Sequence, residues 1–309
     1  MDLSLPGTSS KRFWGAEFSQ AERHLRRLGK VASLEPKTEI MKSLSLAEGR
    51  ITSLAKVICR VGIKRYRLVA IANFCVSGRR LTNNMKKTKR DLIFLFDVDN
   101  TLLDNDRVQR DLYRHLARSY GPRVRERYIA IFEELRKELG YADYLGALER
   151  YRLEHLHDPR LLSVANWLVE YPFAKRLYPH VFDVIKRVKR WGQVVILSDG
   201  DAVFQPRKIC RSGLWQAFGG RVMVFIHKEE MLADVARMYP AHHYVMIDDK
   251  LRILEAIKNA WKSRVTTVFP KQGHYAHDPT ILSSYPPADI KINRIGDLLT
   301  CRRSVFVHK

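Results

Sequence analysis

The chain has 309 residues, which is enough for one large or two modest domains with a real core. Its four cysteines show no paired spacing, which argues against a disulfide framework or a zinc site and favours a reducing compartment. No stretch reaches the roughly 18 apolar residues of a membrane span, and the first residues lack a secretory signal. We therefore expect a cytoplasmic protein without a membrane partner.

The formal charge of +22 is unevenly distributed. Residues 1–90 contain 20 Lys and Arg against 6 Asp and Glu, whereas the remaining 219 residues contain 35 against 27. We expect residues 1–90 to form a basic extension that is disordered or dispensable, with Met85 as a candidate start of the compact domain. Alternatively, this segment is an arm that binds nucleic acid through phosphate contacts, and nucleic acid is a candidate partner only through it.

The first strong motif is a short apolar run, residues 92–96, that leads directly into Asp97 and Asp99. Five apolar residues bounded by charge are typical of a central strand in a parallel sheet, and ligands bind beyond the carboxyl ends of such strands. The spacing of two places both carboxylates on the same side of the chain. They imply a shared proton or a bound metal, for which oxygen ligands favour Mg²⁺. The alternative is that they cap the next helix.

A helical pattern follows the first strand. Apolar residues at helical spacing predict four helices, around residues 108–120, 131–139, 144–151 and 161–171. A crossover between parallel strands needs only a dozen or so residues, yet about 75 intervene here. We therefore expect an inserted α-helical cap domain over residues 105–178, lying above the strand ends.

Strands and helices then alternate to the end of the chain. Short apolar runs predict strands at 194–197, 222–226, 244–247, 265–269 and 290–292, with helical patterns between them. This alternation predicts an α/β fold with a doubly wound parallel sheet. Its core would comprise residues 91–104 and 179–309.

Four of the predicted strands end in polar groups of complementary type. They occur as DVDNT at 97–101, LSDG at 197–200, Lys228, and IDDK at 247–250. In this order the motifs resemble those of the haloacid dehalogenase superfamily, over roughly residues 91–300. The resemblance implies a Rossmann-like core and a phosphatase-type site, since superfamily dehalogenases lack an acid at the position of Asp99.

The resemblance assigns the chemistry to the acidic residues. Asp97 would be the nucleophile that forms an aspartyl-phosphate, and Asp99 would protonate the leaving oxygen and later activate water. The metal ligands would be Asp97, Asp249 and the carbonyl of Asp99. Asp248 would bind Mg²⁺ directly or through water.

The remaining motif residues would bind the phosphoryl group. Ser198 would donate a hydrogen bond to it, together with backbone N–H groups near Asp199 and Gly200. Lys228 would neutralise the charge of phosphate and nucleophile. Thr101 would hold the loop after the first strand and complete the phosphate site. Alternatively, Ser198 caps a helix.

Several residues are weaker candidates. Lys208 is a rival for the role of the motif lysine, although it does not follow a strand directly. Residues 270–275 follow the fifth strand and form a candidate substrate loop. Tyr144, Tyr151 and Arg152 in the cap are candidate substrate readers, although aromatic residues at helical spacing are more often part of a core.

We expect a Mg²⁺-dependent phosphatase acting on a small phosphorylated metabolite. The alternatives are a phosphomutase, a polynucleotide end phosphatase that uses the basic segment as an arm, and a basic nucleic-acid-binding protein with a vestigial catalytic domain. The residues do not separate sugar phosphates, phosphoglycolate and nucleoside monophosphates, and they indicate neither oligomeric state nor pathway.

Overall fold

The computed structural model describes residues 90–158 and 160–307. The predicted basic extension therefore lies outside the described residues apart from Arg90, and so does the candidate start at Met85. Among the helices of the described ranges, none is long and apolar enough to cross a membrane.

The described chain forms one six-stranded parallel sheet, as the sequence predicts. The strand order is β3-β2-β1-β4-β5-β6. Phe96, the last residue of β1, pairs with Ile196 on one side and with Ile247 on the other, so β1 is central and the strand order reverses beside it. The strands are β1 (Arg90–Phe96), β2 (Gln193–Asp199), β3 (Val222–Phe225), β4 (Ala241–Ile247), β5 (Val265–Pro270) and β6 (Ile290–Ile292).

Four helices between residues 105 and 170 follow β1, and we refer to them together as the helical insert. They are α1 (Asn105–Tyr120), α2 (Pro122–Leu139), α3 (Tyr144–Glu154) and α4 (Leu161–Glu170). All four were predicted from helical spacing. The predicted end of α2 is also observed, because Gly140 follows it with a left-handed φ of 76°.

The remaining helices cover the sheet. They are α5 (Val181–Val188), α6 (Phe204–Arg211), α7 (Leu214–Ala217), α8 (Leu232–Met238), α9 (Leu251–Trp261) and α10 (Pro279–Ser284). The helical pattern between β3 and β4, over residues 229–238, predicts one helix, but a 3₁₀ turn over Lys228–Glu230 precedes α8. The turn follows His227, which has a φ of 58°, and it directs the Lys228 side chain inward.

The sheet has an apolar core on each face. Phe94 and Phe96 point into a cluster that also contains Leu112 and Tyr128 of the helical insert. Ile93 and Leu95 point into a second cluster on the opposite face. Burial on both faces holds the end of β1 in place. The boundaries predicted for a separate cap domain stay a prediction, since insert and sheet share one apolar cluster.

Candidate active site

The acidic motifs meet where β1 and β4 end. The backbone N–H of Asp97 donates to the carbonyl of Ile247 at 3.0 Å, so the two chains run side by side past the last strand residues. One carboxylate oxygen from each of Asp97, Asp248 and Asp249 lies within 4.8 Å of the others, and all three side chains are buried. The structure thus brings together three of the four predicted metal ligands through their carboxylates.

Lys228 lies against this acidic cluster. Its Nζ is 2.5 Å from Oδ1 of Asp97 and 2.6 Å from Oδ2 of Asp248. Burial alone would lower the pKa of Lys228, but the charges of Asp248 and Asp97 outweigh this effect and hold the pKa well above its ordinary value. Lys228 therefore carries a positive charge beside the predicted nucleophile.

One lysine does not compensate three buried acids. Burial raises the pKa of Asp248 to about 6 although the Lys228 charge opposes it. Burial and the neighbouring charge of Asp248 raise the pKa of Asp249 well above its usual range. Within the described residues, neither carboxylate oxygen of Asp249 accepts a hydrogen bond, although both are buried. Buried carboxylate oxygens without donors fit a hard divalent cation such as Mg²⁺.

Ser198 lies at the adjacent strand end and contacts the predicted nucleophile. Its Oγ donates to Oδ1 of Asp97 at 3.3 Å and accepts a hydrogen bond of 3.0 Å from Nε2 of Gln205. Gln205 is 2% exposed, and the sequence analysis did not identify it. The signal that could have revealed it is a glutamine five residues after the LSDG motif, in the first turn of the helix that follows β2.

Asp199 and Gly200 have partners within the protein. The Asp199 carboxylate accepts a 2.7 Å hydrogen bond from the Lys228 backbone N–H, so it holds the turn that places this lysine. Burial raises the pKa of Asp199. The Gly200 N–H donates to the carbonyl of Phe225 at 3.0 Å. The contact of both residues with phosphate stays a prediction.

Thr101 links the first motif to the last. It is fully buried, and its hydroxyl accepts a hydrogen bond from the Asp249 backbone N–H at 3.1 Å. Gln272 supports the same loop, because its Nε2 donates to the carbonyls of Asn100 and Thr101 at 3.3 and 3.1 Å. These bonds fix the loop after β1, while the predicted contact of Thr101 with phosphate stays a prediction.

Lys208 contacts the other acid of the first motif. Its Nζ is 2.7 and 2.8 Å from the two carboxylate oxygens of Asp99 and 3.1 Å from Oδ1 of Asn105. The ammonium lies 5.3 Å from the ring centroid of Phe204 and 6.0 Å from that of Tyr144. Lys208 is thus not a substitute for the motif lysine. It forms its own ion pair with Asp99.

A cleft of about 70 Å³ opens between these residues and the helical insert. Asp99 and Asp249 line it from the sheet side, and Arg136 lines it from α2. The loop after β5 reaches the same cleft through His274 and Tyr275, within the predicted substrate loop.

The three candidate substrate readers of the insert occupy different places. Tyr144 lines the cleft, and its hydroxyl accepts a hydrogen bond of 3.1 Å from Nδ2 of Asn105. Tyr151 is buried and its ring lies 4.3 Å from that of His155. Arg152 is exposed and pairs with Glu149. Neither Tyr151 nor Arg152 lines the cleft.

The carboxylates, the lysine and the hydroxyl lie at the carboxyl ends of the strands, where the strand order reverses beside β1. This arrangement is typical of α/β enzymes, whose active sites lie at that edge of the sheet. The sequence pattern of haloacid dehalogenase-like hydrolases matches residues 92–260, which is more than half of the chain. The protein belongs to this family of hydrolases.

Several solved structures are similar to this chain. A haloacid dehalogenase-like hydrolase from Burkholderia xenovorans is 58% identical with a TM-score of 0.68, covering 70% of this chain and 98% of its own. A haloacid dehalogenase-like hydrolase from Xanthomonas campestris is 18% identical with a TM-score of 0.50, covering 72% and 94%. An L-2-haloacid dehalogenase from Xanthobacter autotrophicus is 19% identical with a TM-score of 0.44, covering 67% and 96%. Comparison with curated proteins gives no match.

Proposed function

We propose that the protein is a Mg²⁺-dependent phosphatase that hydrolyses a small phosphomonoester through an aspartyl-phosphate on Asp97. The observation that carries the proposal is the second acid, Asp99, at the cleft beside the buried cluster of Asp97 and Asp249. An acid at this position can serve an alkoxide leaving group, which needs a proton, whereas a halide leaving group does not.

The contacts of Asp97 indicate which of its oxygens reacts. Lys228 and Ser198 both contact Oδ1. Within the described residues, Oδ2 accepts no hydrogen bond, so we assign it as the attacking atom. As the bond from Oδ2 to phosphorus forms, the bond from phosphorus to the substrate oxygen breaks. Asp99 is paired with Lys208 through both carboxylate oxygens, so it must first separate from this lysine and take up a proton from solvent; it then gives this proton to the leaving oxygen.

The second step restores the enzyme. A water molecule attacks phosphorus and gives its proton to Asp99, while the bond between phosphorus and Asp97 breaks. Inorganic phosphate leaves, Asp99 releases the proton to solvent and pairs with Lys208 again, and the carboxylate of Asp97 is restored.

Phosphoryl transfer depends mainly on positive charge around the phosphoryl oxygens. Lys228 and Ser198 supply a cation and a hydroxyl at Asp97. Mg²⁺ held by the carboxylates of Asp97, Asp248 and Asp249, with the Asp99 carbonyl, would add further positive charge there.

The helical insert would act as a cap that excludes water during the covalent step. The cleft volume of about 70 Å³ supports a small metabolite and argues against a polynucleotide end. A phosphomutase would differ from this phosphatase in one observable property. Its phosphoenzyme would not hydrolyse unless a second hydroxyl acceptor is present.

The test is a panel of phosphorylated metabolites assayed with and without Mg²⁺, together with a haloacid. The full chain is compared with Asp97→Asn and with the matched control Asp91→Asn, which makes the same change at an exposed position of β1. We expect phosphate release that needs Mg²⁺, persists in D91N and disappears in D97N. Halide release without phosphate release, or equal phosphate release by D97N and the wild type, would contradict the proposal.

A further inference from the structure

The cleft contains more charge than the transfer of one phosphoryl group requires. Its volume is only about 70 Å³, whereas ordinary ligand pockets measure roughly 300–1,000 Å³. The leaving group of a small substrate bound there would lie close to the side chains that α2 and the loop after β5 direct into the cleft. The charges on this side of the cleft, formed by α2 and the loop after β5, therefore indicate which charge the leaving group has.

The acidic residues of the cleft already have partners. Both carboxylate oxygens of Asp99 contact Lys208. Asp106 accepts hydrogen bonds of 2.8 Å from the His274 backbone N–H and of 2.9 Å from Nδ2 of Asn100, and its Oδ1 lies 2.7 Å from Nδ1 of His274. Only Asp249, in the metal cluster, lacks such partners among the acids that line the cleft.

The two basic side chains of the cleft, Arg136 and Lys250, lack a buried ion-pair partner within the described residues. Lys250 forms no ion pair within residues 90–158 and 160–307, although the charge of Asp249 beside it helps to raise its pKa, and its Nζ lies 5.5 Å from the ring centroid of Tyr275. The Arg136 guanidinium lies 5.8 Å from the same ring, and its Nη2 donates to the Tyr275 hydroxyl at 2.7 Å. The ion-pair partner of Arg136 is Glu133, at 3.3 Å, whose side chain is 43% exposed. A pair this exposed neutralises little of the Arg136 charge.

Two cations thus share one tyrosine ring on the wall that faces the leaving group. An anion bound on this side of the cleft would compensate both positive charges. We infer that the substrate carries a second anionic group on its leaving alcohol, either a carboxylate or a second phosphate, held by Arg136 and Lys250 beside Tyr275. The inference rests on the proposed phosphatase function and narrows its substrate class to small phosphorylated acids or bisphosphates.

The test uses substrates that differ only in this group. Phosphoglycolate and ethylene glycol bisphosphate carry the second anion as carboxylate and as phosphate, and ethylene glycol monophosphate replaces it by a neutral hydroxyl. We expect kcat/KM with Mg²⁺ to be at least about tenfold higher for one of the anionic esters than for the neutral ester. The preferred anionic ester identifies the second group as carboxylate or phosphate.

Arg136→Gln and Lys250→Gln should each reduce this preference about tenfold, mainly through a higher KM. The matched control is Arg150→Gln, which removes an arginine of the same insert that pairs with Glu138 outside the cleft. The control should retain the wild-type preference.

The outcomes separate the two proposals. If the wild type hydrolyses the neutral ester and D97N does not, but no anionic ester is preferred or R136Q keeps the preference, the second anion site is overturned and the phosphatase stands. If none of the esters is hydrolysed, the phosphatase proposal fails and the anion site fails with it.

Discussion

The two buried lysines of the site each neutralise an acid of the first motif, but from different kinds of position. Lys228 follows β3 and contacts Asp97 and Asp248, so its whole environment comes from the ends of sheet strands. Lys208 lies on α6 and contacts Asp99 and Asn105, the first residue of the helical insert. We call Lys228 with Asp97 and Asp248 the Lys228 half of the site, and Lys208 with Asp99 and Asn105 the Lys208 half. The Lys228 half depends on the sheet alone, whereas the Lys208 half also depends on how the helical insert packs on the sheet. We therefore expect changes in the first half to abolish the chemistry and changes in the second half to reduce it.

The largest effect is expected from the nucleophile of the Lys228 half. Asp97→Asn should lower kcat on the order of 10³-fold or more, because an amide does not form the acyl phosphate. The amide has nearly the shape of the carboxylate, so far-UV circular dichroism should stay unchanged. Turnover of the best phosphate ester, measured with Mg²⁺, checks the prediction. A folded D97N protein with wild-type turnover would remove Asp97 from the mechanism.

Lys228→Met tests the structural role of the same half. Removing the ammonium leaves two buried carboxylates without their cation, which should lower the free energy of unfolding by about 3–5 kcal/mol. Urea denaturation in metal-free buffer measures it. Lys186→Met makes the same change at an exposed position of α5 and should alter stability by less than about 0.5 kcal/mol. Equal stability of the two variants would show that the acids of the cluster are not ionised without metal.

The stability of the metal-free protein should also depend on pH through Asp248. Its pKa is about 6 in the folded protein against an ordinary value of 3.8, so between these pH values the folded chain holds a proton that the unfolded chain has lost. This stabilisation is complete below about pH 4 and is lost as pH rises to about 6, by on the order of 3 kcal/mol. Asp248→Asn cannot titrate at this position. Between about pH 4 and about pH 6 the unfolding free energy of the wild type should therefore fall relative to that of Asp248→Asn. A constant difference between the two proteins would contradict the raised pKa.

The Lys228 half is also the part of the site that the sequence predicts well. Five apolar residues followed by Asp97 specify a buried strand and its acidic end from neighbouring residues alone. Lys228 could be chosen because it directly follows a predicted strand. The parallel order of the strands then brings these ends to one edge, as it must in any doubly wound sheet.

The Lys208 half could not be predicted in the same way. Lys208 is separated from Asp99 by more than one hundred residues, and helical spacing does not show which distant acid a lysine meets. The same limitation explains why Arg152 was considered as a substrate reader and Arg136 was not. Periodicity distinguishes the buried from the exposed side of a helix, but the orientation of the insert decides which residues face the cleft.

Lys208→Met should have a smaller effect than the changes at Asp97 and Lys228. Loss of the ammonium releases both oxygens of Asp99 from their fixed position, so kcat should fall about tenfold to hundredfold with little change in KM. Arg207→Met, on the same helix but half exposed, is the control. If Lys208 acts through Asp99, the change should have little further effect in an Asp99→Asn background. Additive losses in the double variant would show an independent role for Lys208.

The smallest effect is expected where the loop after β5 touches the first motif. Gly273 has a φ of 70°, and a Cβ there would lie 2.5 Å from Cβ of Asn100, next to Asp99. Gly121 has a φ of 94° and no heavy atom within 4 Å of such a Cβ. Alanine at either position adds backbone strain of about 1–2 kcal/mol, but only Gly273→Ala also displaces Asn100.

The difference between these two variants therefore isolates the contact from the strain. We expect both proteins to lose stability in urea, and G273A to lose severalfold more kcat than G121A, because Asn100 precedes the helical insert and orients Asp106 in the cleft. Equal kcat values at equal stability would mean that the loop can move away from Asn100 without disturbing the catalytic residues. In that case the insert alone, and not the loop after β5, would set the geometry of the Lys208 half.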